Sequence, residues 1–174
     1  MMDQYMDIKT EHPDSVLFFR MGDFYEQFHE DAVVSSEVLG ITLTSRDKKA
    51  DKPIPMAGFP WHALEDNLRQ MLQSGHKVCV AEQEDELREG AKLLERHVTR
   101  VYTPGSLYEE SLIGTDEIAG LAAICVKADG VGLAILDAST GHVWTMEHHG
   151  DERWDRLLDD LLRSSPREVI FSPR

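Results

Sequence analysis

Apolar residues along this chain gather in short runs, separated by glycine, proline and charged positions. The strongest run, Val16-Leu17-Phe18-Phe19, is too short for a buried helix and suits a central strand. Gly22 then permits a sharp turn. Asp23 is a strong N-cap with a carboxylate three residues later at Glu26, a capping-box-like start. The pattern therefore predicts a helix over residues 23–39, stopped by Gly40 in the C′ position. On that helix Tyr25, Phe28, Ala32 and Leu39 share the core face, Phe24 sits at its margin and Glu26 points nearly the opposite way. The core has no evident need of Phe24.

The same reading extends in both directions. Residues 1–9 form a short helix with Met2, Tyr5 and Met6 on one side. Residues 41–44 form a brief strand, leading into the locally basic loop 45–52. Pro53, Pro55, Gly58 and Pro60 make a stiff, non-helical approach to a helix over 62–74, whose core stripe is Leu64, Leu68, Met71 and Leu72. Gly75 stops it. Residues 77–81 are a strand with Glu82-Gln83 just past its end, 84–96 is an acidic, helix-compatible segment, and 98–102 is another strand closed by Thr103-Pro104-Gly105-Ser106. Residues 111–117 read as a linker. Afterwards come strands at 119–126, 131–137 and 142–146 with tight turns at Asp129-Gly130 and Thr140-Gly141. A helical stripe of Trp154, Leu157, Leu158, Leu161 and Leu162 follows, then a strand at 168–171. The fold class is mixed α/β: a mixed sheet with packed helices, then part of a second α/β domain.

Composition limits the chemistry. With 174 residues and 41% apolar content, the chain can bury one good core and part of another. No run of about 18 apolar residues occurs, so no membrane partner is expected, and the N-terminus has no secretory pattern. Cys79 and Cys125 sit in apolar strand-like runs and are expected to be buried, reduced thiols. The net charge of −14, from 18 basic against 32 acidic residues, argues against a freestanding nucleic-acid binder. No Gly-x-x-x-x-Gly-Lys-Ser/Thr loop occurs, so ATP is not expected to bind here. The eight histidines show no metal-ligand spacing, and His148-His149 reads as solvated.

Four blocks in order carry a family resemblance: Arg20-Met21-Gly22-Asp23-Phe24-Tyr25-Glu26; Pro53-Ile54-Pro55-Met56-Ala57-Gly58 followed by Pro60 and His62; Glu82-Gln83; and Val101-Tyr102-Thr103-Pro104-Gly105. The chain thereby resembles the N-terminal mismatch-recognition domain of the bacterial MutS family of DNA mismatch-repair proteins. The resemblance implies a recognition domain over 1–113, a linker at 114–118 and, over 119–174, the first half of the family's ribonuclease-H-like connector domain. It implies a fragment whose clamp and ATPase domains, with ATP and Mg, lie elsewhere. An incomplete connector sheet would leave an edge and apolar surface exposed, and pairing with another copy or marginal order is expected there. The implied partners are mismatched double-stranded DNA, a second copy through the absent domains and a downstream MutL-type protein, in a cytoplasmic, nucleoid-associated setting. The acidic segment from Glu84 departs from the family, where a less acidic Gly/Pro-containing connection is expected.

By resemblance Phe24 is a wedge that enters the minor groove and stacks on a mispaired base. A mismatch is the step where unstacking, a few kcal/mol elsewhere, costs least. Glu26 would accept a hydrogen bond from the displaced base while repelling ordinary duplex. Arg46 is implied to reach a phosphate, and Met56 and Gly58 to line the groove. Tyr25, by its wheel position, belongs to the core. Two other readings stand beside this one. The acidic chain can be a protein-interaction or connector module without DNA binding of its own. Asp137 on a ribonuclease-H-like strand can belong to a two-metal nuclease, although the other acids cannot be assigned and the family's connector is not a nuclease.

Overall fold

The computed structural model describes residues 1–46, 52–84, 94–106 and 120–172. Positions 47–51 of the basic loop, positions 85–93 of the acidic segment and the linker 114–118 lie outside the described residues. The chain divides into two compact units, Met1–Tyr102 and Thr103–Arg174, both mixed α/β.

The first unit contains α1 (Met2–Glu11), β1 (Ser15–Met21), β2 (Phe24–Phe28), α2 (His29–Leu39), β3 (Thr44–Arg46), β4 (Ile54–Pro60), α3 (Leu64–Gln73), β5 (Lys77–Gln83) and β6 (Arg96–Tyr102). The strands form one sheet in the order β3-β4-β2-β1-β5-β6, parallel only between β1 and β5. The apolar run 16–19 is indeed central, with Leu17, Phe18 and Phe19 buried from both faces. Because side chains alternate, the sheet carries two cores. Leu17, Phe19, Phe28, Cys79 and Ala81 pack with Tyr5 of α1 on one face. Phe18, Tyr25 and Phe59 meet on the other, where α2 and α3 pack against β2, β4 and β5.

The helix expected over 23–39 is corrected. Its first part, Phe24–Phe28, is a strand, and helix begins only at His29. Met21 pairs with Phe24 across a two-residue turn, with Gly22 at φ 59°, the Gly-first geometry that suits a hairpin. A capping box is worth about 1 kcal/mol. It loses to strand pairing that buries Tyr25 and Gln27 on one face and Phe28 on the other. Gly40 ends α2 in the left-handed conformation, as expected.

The proline-rich stretch is also more regular than expected, being strand β4. Its prolines stand where pairing is one-sided: Pro55 faces only Ser45 of β3, and Pro60 faces only Phe24 of β2. The expected strand at 41–44 lies instead at Thr44–Arg46, and Glu82 and Gln83 belong to β5, facing His97 and Arg96. The α3 stripe is confirmed, with Leu68, Met71 and Leu72 buried.

In the second unit β7 (Gly120–Val126), β8 (Gly130–Asp137) and β9 (Val143–His149) form an antiparallel meander. After α4 (Arg153–Ser164), β10 (Glu168–Phe171) returns parallel to β7, giving the order β10-β7-β8-β9. Val131, Leu133 and Ile135 of β8 pack with Ala122 and with Leu157 of α4. Only one stripe of α4 meets the sheet, so Trp154, Leu158 and Leu162 are exposed, as are Val169, Ile170 and Phe171 on the outer strand β10. His148 is not solvated: its Nε2 lies 2.8 Å from the Asp160 carboxylate on α4, whereas His149 is exposed. No helix among the described residues is long and apolar enough to cross a membrane.

The two thiols differ, against expectation. Cys79 is buried and free, and Cys125 is free but exposed, because it lies near the end of β7 opposite the side-chain-free Gly132. Burial pushes the Cys79 thiol up to about 11. A thiol reagent such as DTNB at neutral pH should therefore modify Cys125 readily in the native chain, and Cys79 only after denaturant is added. Two equally fast thiols would contradict this burial.

Candidate functional site

Alternation along β2 sorts the hairpin's chemistry. Phe24, Glu26 and Phe28 face the α1 side of the sheet, and Tyr25 and Gln27 face the other. On the α1 side the strand passes from core to open surface: Phe28 is fully buried, Glu26 is half-buried, and Phe24 is 46% exposed at the turn. On this face the Tyr5 ring of α1 packs against Phe28, 5.1 Å between ring centres. The strip at the other end holds Met21, Phe24, Glu26, Gly58 and Pro60, in register across β1, β2 and β4.

Phe24 is an apolar ring on a rigid base. Its neighbour Tyr25 is 2% exposed, and the Tyr25 hydroxyl donates to the Glu82 carboxylate on β5. The turn is tied down as well, since the Trp61 amide donates to the Asp23 carbonyl at 2.9 Å. On this opposite side the Arg20 guanidinium lies 5.4 Å from the Tyr25 ring centre and 5.2 Å from that of Trp61. These residues border an open cleft of about 490 Å³ that also includes His62, Glu65 and Glu82.

Glu26 stands across from Gly58. A Cβ at position 58 would come within 3.0 Å of the Tyr25 carbonyl oxygen and 3.5 Å of the Glu26 Cγ, so glycine keeps the strand-to-strand approach close there. Burial raises the Glu26 carboxyl above its ordinary value, while Arg46 and Arg96 pull it back. Since burial outweighs the two cations, the neutral form is favoured more in the folded than in the unfolded chain. The charged form therefore lowers stability at neutral pH, and the penalty fades as pH falls toward the ordinary glutamate range near about 4. Glu26→Gln should melt above the parent at neutral pH and converge with it on acidification. A variant that melts lower at neutral pH would show that the cations dominate.

The structure brings Phe24, Glu26 and Gly58 onto one strip. Arg46 lies on the same sheet face, 5.9 Å from the Phe28 ring centre, with its Nη1 3.6 Å from the Met1 Sδ. Met56 faces Phe28 and packs against the buried cluster, one step deeper than Gly58. Arg96, which the sequence reading passed over, joins the strip's surroundings from β6. The sequence reading set it at the end of the helix-compatible segment 84–96, whereas it is the first residue of β6. Asp137 is occupied: it accepts from the Ser139 amide at 2.9 Å and from the Ser139 and Thr140 hydroxyls at 2.6 and 2.8 Å, which hold it below the usual carboxylate range. Among the described residues no cluster of His, Cys, Asp and Glu is arranged to hold a metal ion.

The arrangement is an exposed aromatic ring beside a half-buried carboxylate, both on a strand too well anchored to retract. It can offer a stacking face and one hydrogen-bond acceptor to a flat, partly polar ligand. Comparison with known proteins matches this chain twice. The family model for MutS domain I covers residues 1–111, and that for MutS domain II covers residues 119–174. Proteins named DNA mismatch repair protein MutS are similar along nearly the whole chain. Those of Anaeromyxobacter dehalogenans (strain 2CP-C) and Myxococcus xanthus (strain DK1622) are each 45% identical over 99% and 98% of this chain, and over 19% of their own length. That of Desulforamulus reducens is 41% identical over 99% of this chain and 20% of its own. The chain thus spans about a fifth of the length of these relatives.

Proposed function

We propose, from the premise that this chain belongs to the MutS family of DNA mismatch-repair proteins, that its first unit probes duplex DNA for mispaired bases with Phe24 and Glu26. The observation that carries the reading is the exposure of Phe24 on an anchored hairpin. A large aromatic ring nearly half in water beside a carboxylate is more exposed than packing alone calls for, and it has the form of a wedge. Inserted from the minor groove, the ring stacks on a base, and the duplex kinks where stacking is already weak. Glu26 then accepts a hydrogen bond from the displaced base edge. In ordinary duplex no such donor is presented, and the carboxylate only meets phosphate repulsion.

The charge of −14 fits a division of labour. Phosphate neutralisation supplies most non-specific affinity, and in this reading other parts of the complete protein provide it, with Arg46 adding a contact beside the strip. ATP with Mg in an ATPase domain, a second copy and a MutL-type partner would convert recognition into repair signalling. The test is equilibrium binding of the complete gene product to G·T-mismatched and matched duplexes, by fluorescence anisotropy, with Phe24 intact and with Phe24→Ala. Undiminished mismatch preference in the variant would return Phe24 to a structural role.

A further inference from the structure

The turn that presents Phe24 has little packing of its own, because Gly22, Asp23 and Phe24 are all exposed. Its aim must then come from hydrogen bonds: beside those from Arg20 to the Gly22 carbonyl and from the Trp61 amide to the Asp23 carbonyl, Gln83 holds the Gly22 amide and is itself held by Arg96. Gln83, the last residue of β5, accepts the Gly22 amide on its Oε1 at 3.3 Å. The same oxygen accepts from the Arg96 Nη2 at 2.9 Å. Arg96, the first residue of β6, donates through Nε to the Arg20 carbonyl at 3.1 Å. Its Nη1 donates to the Leu94 carbonyl at 2.7 Å and to the Gln4 side-chain oxygen at 3.3 Å. The guanidinium also lies 5.3 Å from the Phe19 ring centre.

One guanidinium therefore joins α1, β1 and β5 at the base of the hairpin. Four of its five N–H donors already have partners within the protein, which leaves it poorly equipped to grip a phosphate. Its charge nevertheless acts on Glu26, from the side opposite Arg46 in the sheet order. We infer that Gln83 and Arg96 are positioning residues for mismatch discrimination, holding the Gly22 turn and so the aim of Phe24 and Glu26 without reading the base themselves. This rests on the function proposed above.

The test uses the complete gene product, with G·T-mismatched and matched duplexes over a salt series and thermal midpoints measured in parallel. Gln83→Leu should lower the mismatch-over-matched affinity ratio roughly 3- to 10-fold, the effect of losing one network of ordinary hydrogen bonds. Matched binding, its salt dependence and the thermal midpoint should change little. Gln83→Glu keeps an acceptor for both donors and should restore the ratio, which loss of bulk packing would not allow. Arg96→Lys keeps the charge but loses the fork, and should fall with Gln83→Leu; the double variant should be no worse than either single one, as expected for one network. Should Gln83→Leu fold poorly, Gln83→Glu and Arg96→Lys still decide the matter. An unchanged ratio in Arg96→Lys overturns the inference. So does an Arg96→Ala variant whose salt slope falls by about one, the mark of a direct phosphate contact. Phe24→Ala measured alongside separates the two readings: if it too leaves the ratio unchanged, the proposed wedge fails and not only its brace.

Discussion

Phe24→Ala in the complete gene product is expected to lower affinity for a G·T-mismatched duplex roughly 5- to 150-fold, since stacking of a base on an aromatic side chain is worth about 1–3 kcal/mol. Affinity for matched duplex should change far less. There the ring has no weakly stacked step to enter, and binding depends on phosphate neutralisation, to which a phenyl group contributes nothing. Thermal stability should fall by no more than about 1–1.5 kcal/mol, because nearly half of the Phe24 surface is already in water. The combination is diagnostic. A core aromatic would show the reverse pattern, with a large fall in stability and parallel losses on both duplexes. Phe24→Leu should recover part of the wedge volume but little of the stacking, placing it between the parent and the alanine variant.

Asp31→Ala is expected to be the most damaging single change for stability. Asp31 is a buried carboxylate on α2 that accepts from the Tyr5 hydroxyl at 2.8 Å, the Lys9 ammonium at 2.8 Å and the Leu17 amide at 3.1 Å. It thus ties α1 and α2 to the central strand at the deep end of the sheet face that carries Phe24. Burial, and then the Asp31 charge, raise the Tyr5 hydroxyl far above the ordinary tyrosine range, so it remains a donor at every accessible pH. Removing the carboxylate takes the acceptor from the buried Leu17 amide and leaves the Tyr5 hydroxyl and the Lys9 ammonium with only the Phe28 and Ser15 carbonyls. Breaking a buried pair in this way costs about 3–5 kcal/mol. For a unit of this size that corresponds to a fall of well over about 10 °C in midpoint, read by circular dichroism on the 174-residue chain. Asp31→Asn keeps an acceptor but not the charge facing Lys9, and should lie between. A fall of less than about 5 °C for the alanine variant would mean that water replaces the carboxylate, contrary to its burial.

Several features were legible without coordinates. The run 16–19 could only be a central strand, because four consecutive apolar residues need cover on both faces. The α3 stripe and its Gly75 stop followed from helical spacing and from a position that needs positive φ, which Gly75 adopts at 84°. The meander of the second unit followed from its turn dipeptides, and Phe24 and Glu26 became candidates through the family resemblance. Elsewhere the local pattern gave the wrong element. Residues 23–28 satisfy the rules for a helix start, and Pro53, Pro55 and Pro60 argue against a regular strand, yet both segments are adjacent strands of one sheet. Local capping and proline effects amount to about 1–3 kcal/mol. Burial of Tyr25, Gln27, Phe28, Ala57 and Phe59 between two layers outweighs them, and no window of sequence contains both sides of that pairing.

By itself the sequence determined which side chains this protein has available for chemistry: an aromatic ring and a carboxylate two residues apart after a glycine turn, in a strongly acidic chain without an ATP loop. It also marked most of the strands and helices, β2 and β4 excepted, because those follow from spacing along the chain. Only the tertiary structure decided that residues 24 and 26 share one face of a strand, where helical spacing had pointed them apart. It alone placed Gly58 opposite Glu26, Arg46 and Arg96 within the field of that carboxylate, and Gln83 against the turn. The physical reason is that two-residue alternation and cross-strand register bring together positions from 20 to about 90 residues apart. Those distances are closed by burial of the whole sheet, and nothing local encodes them.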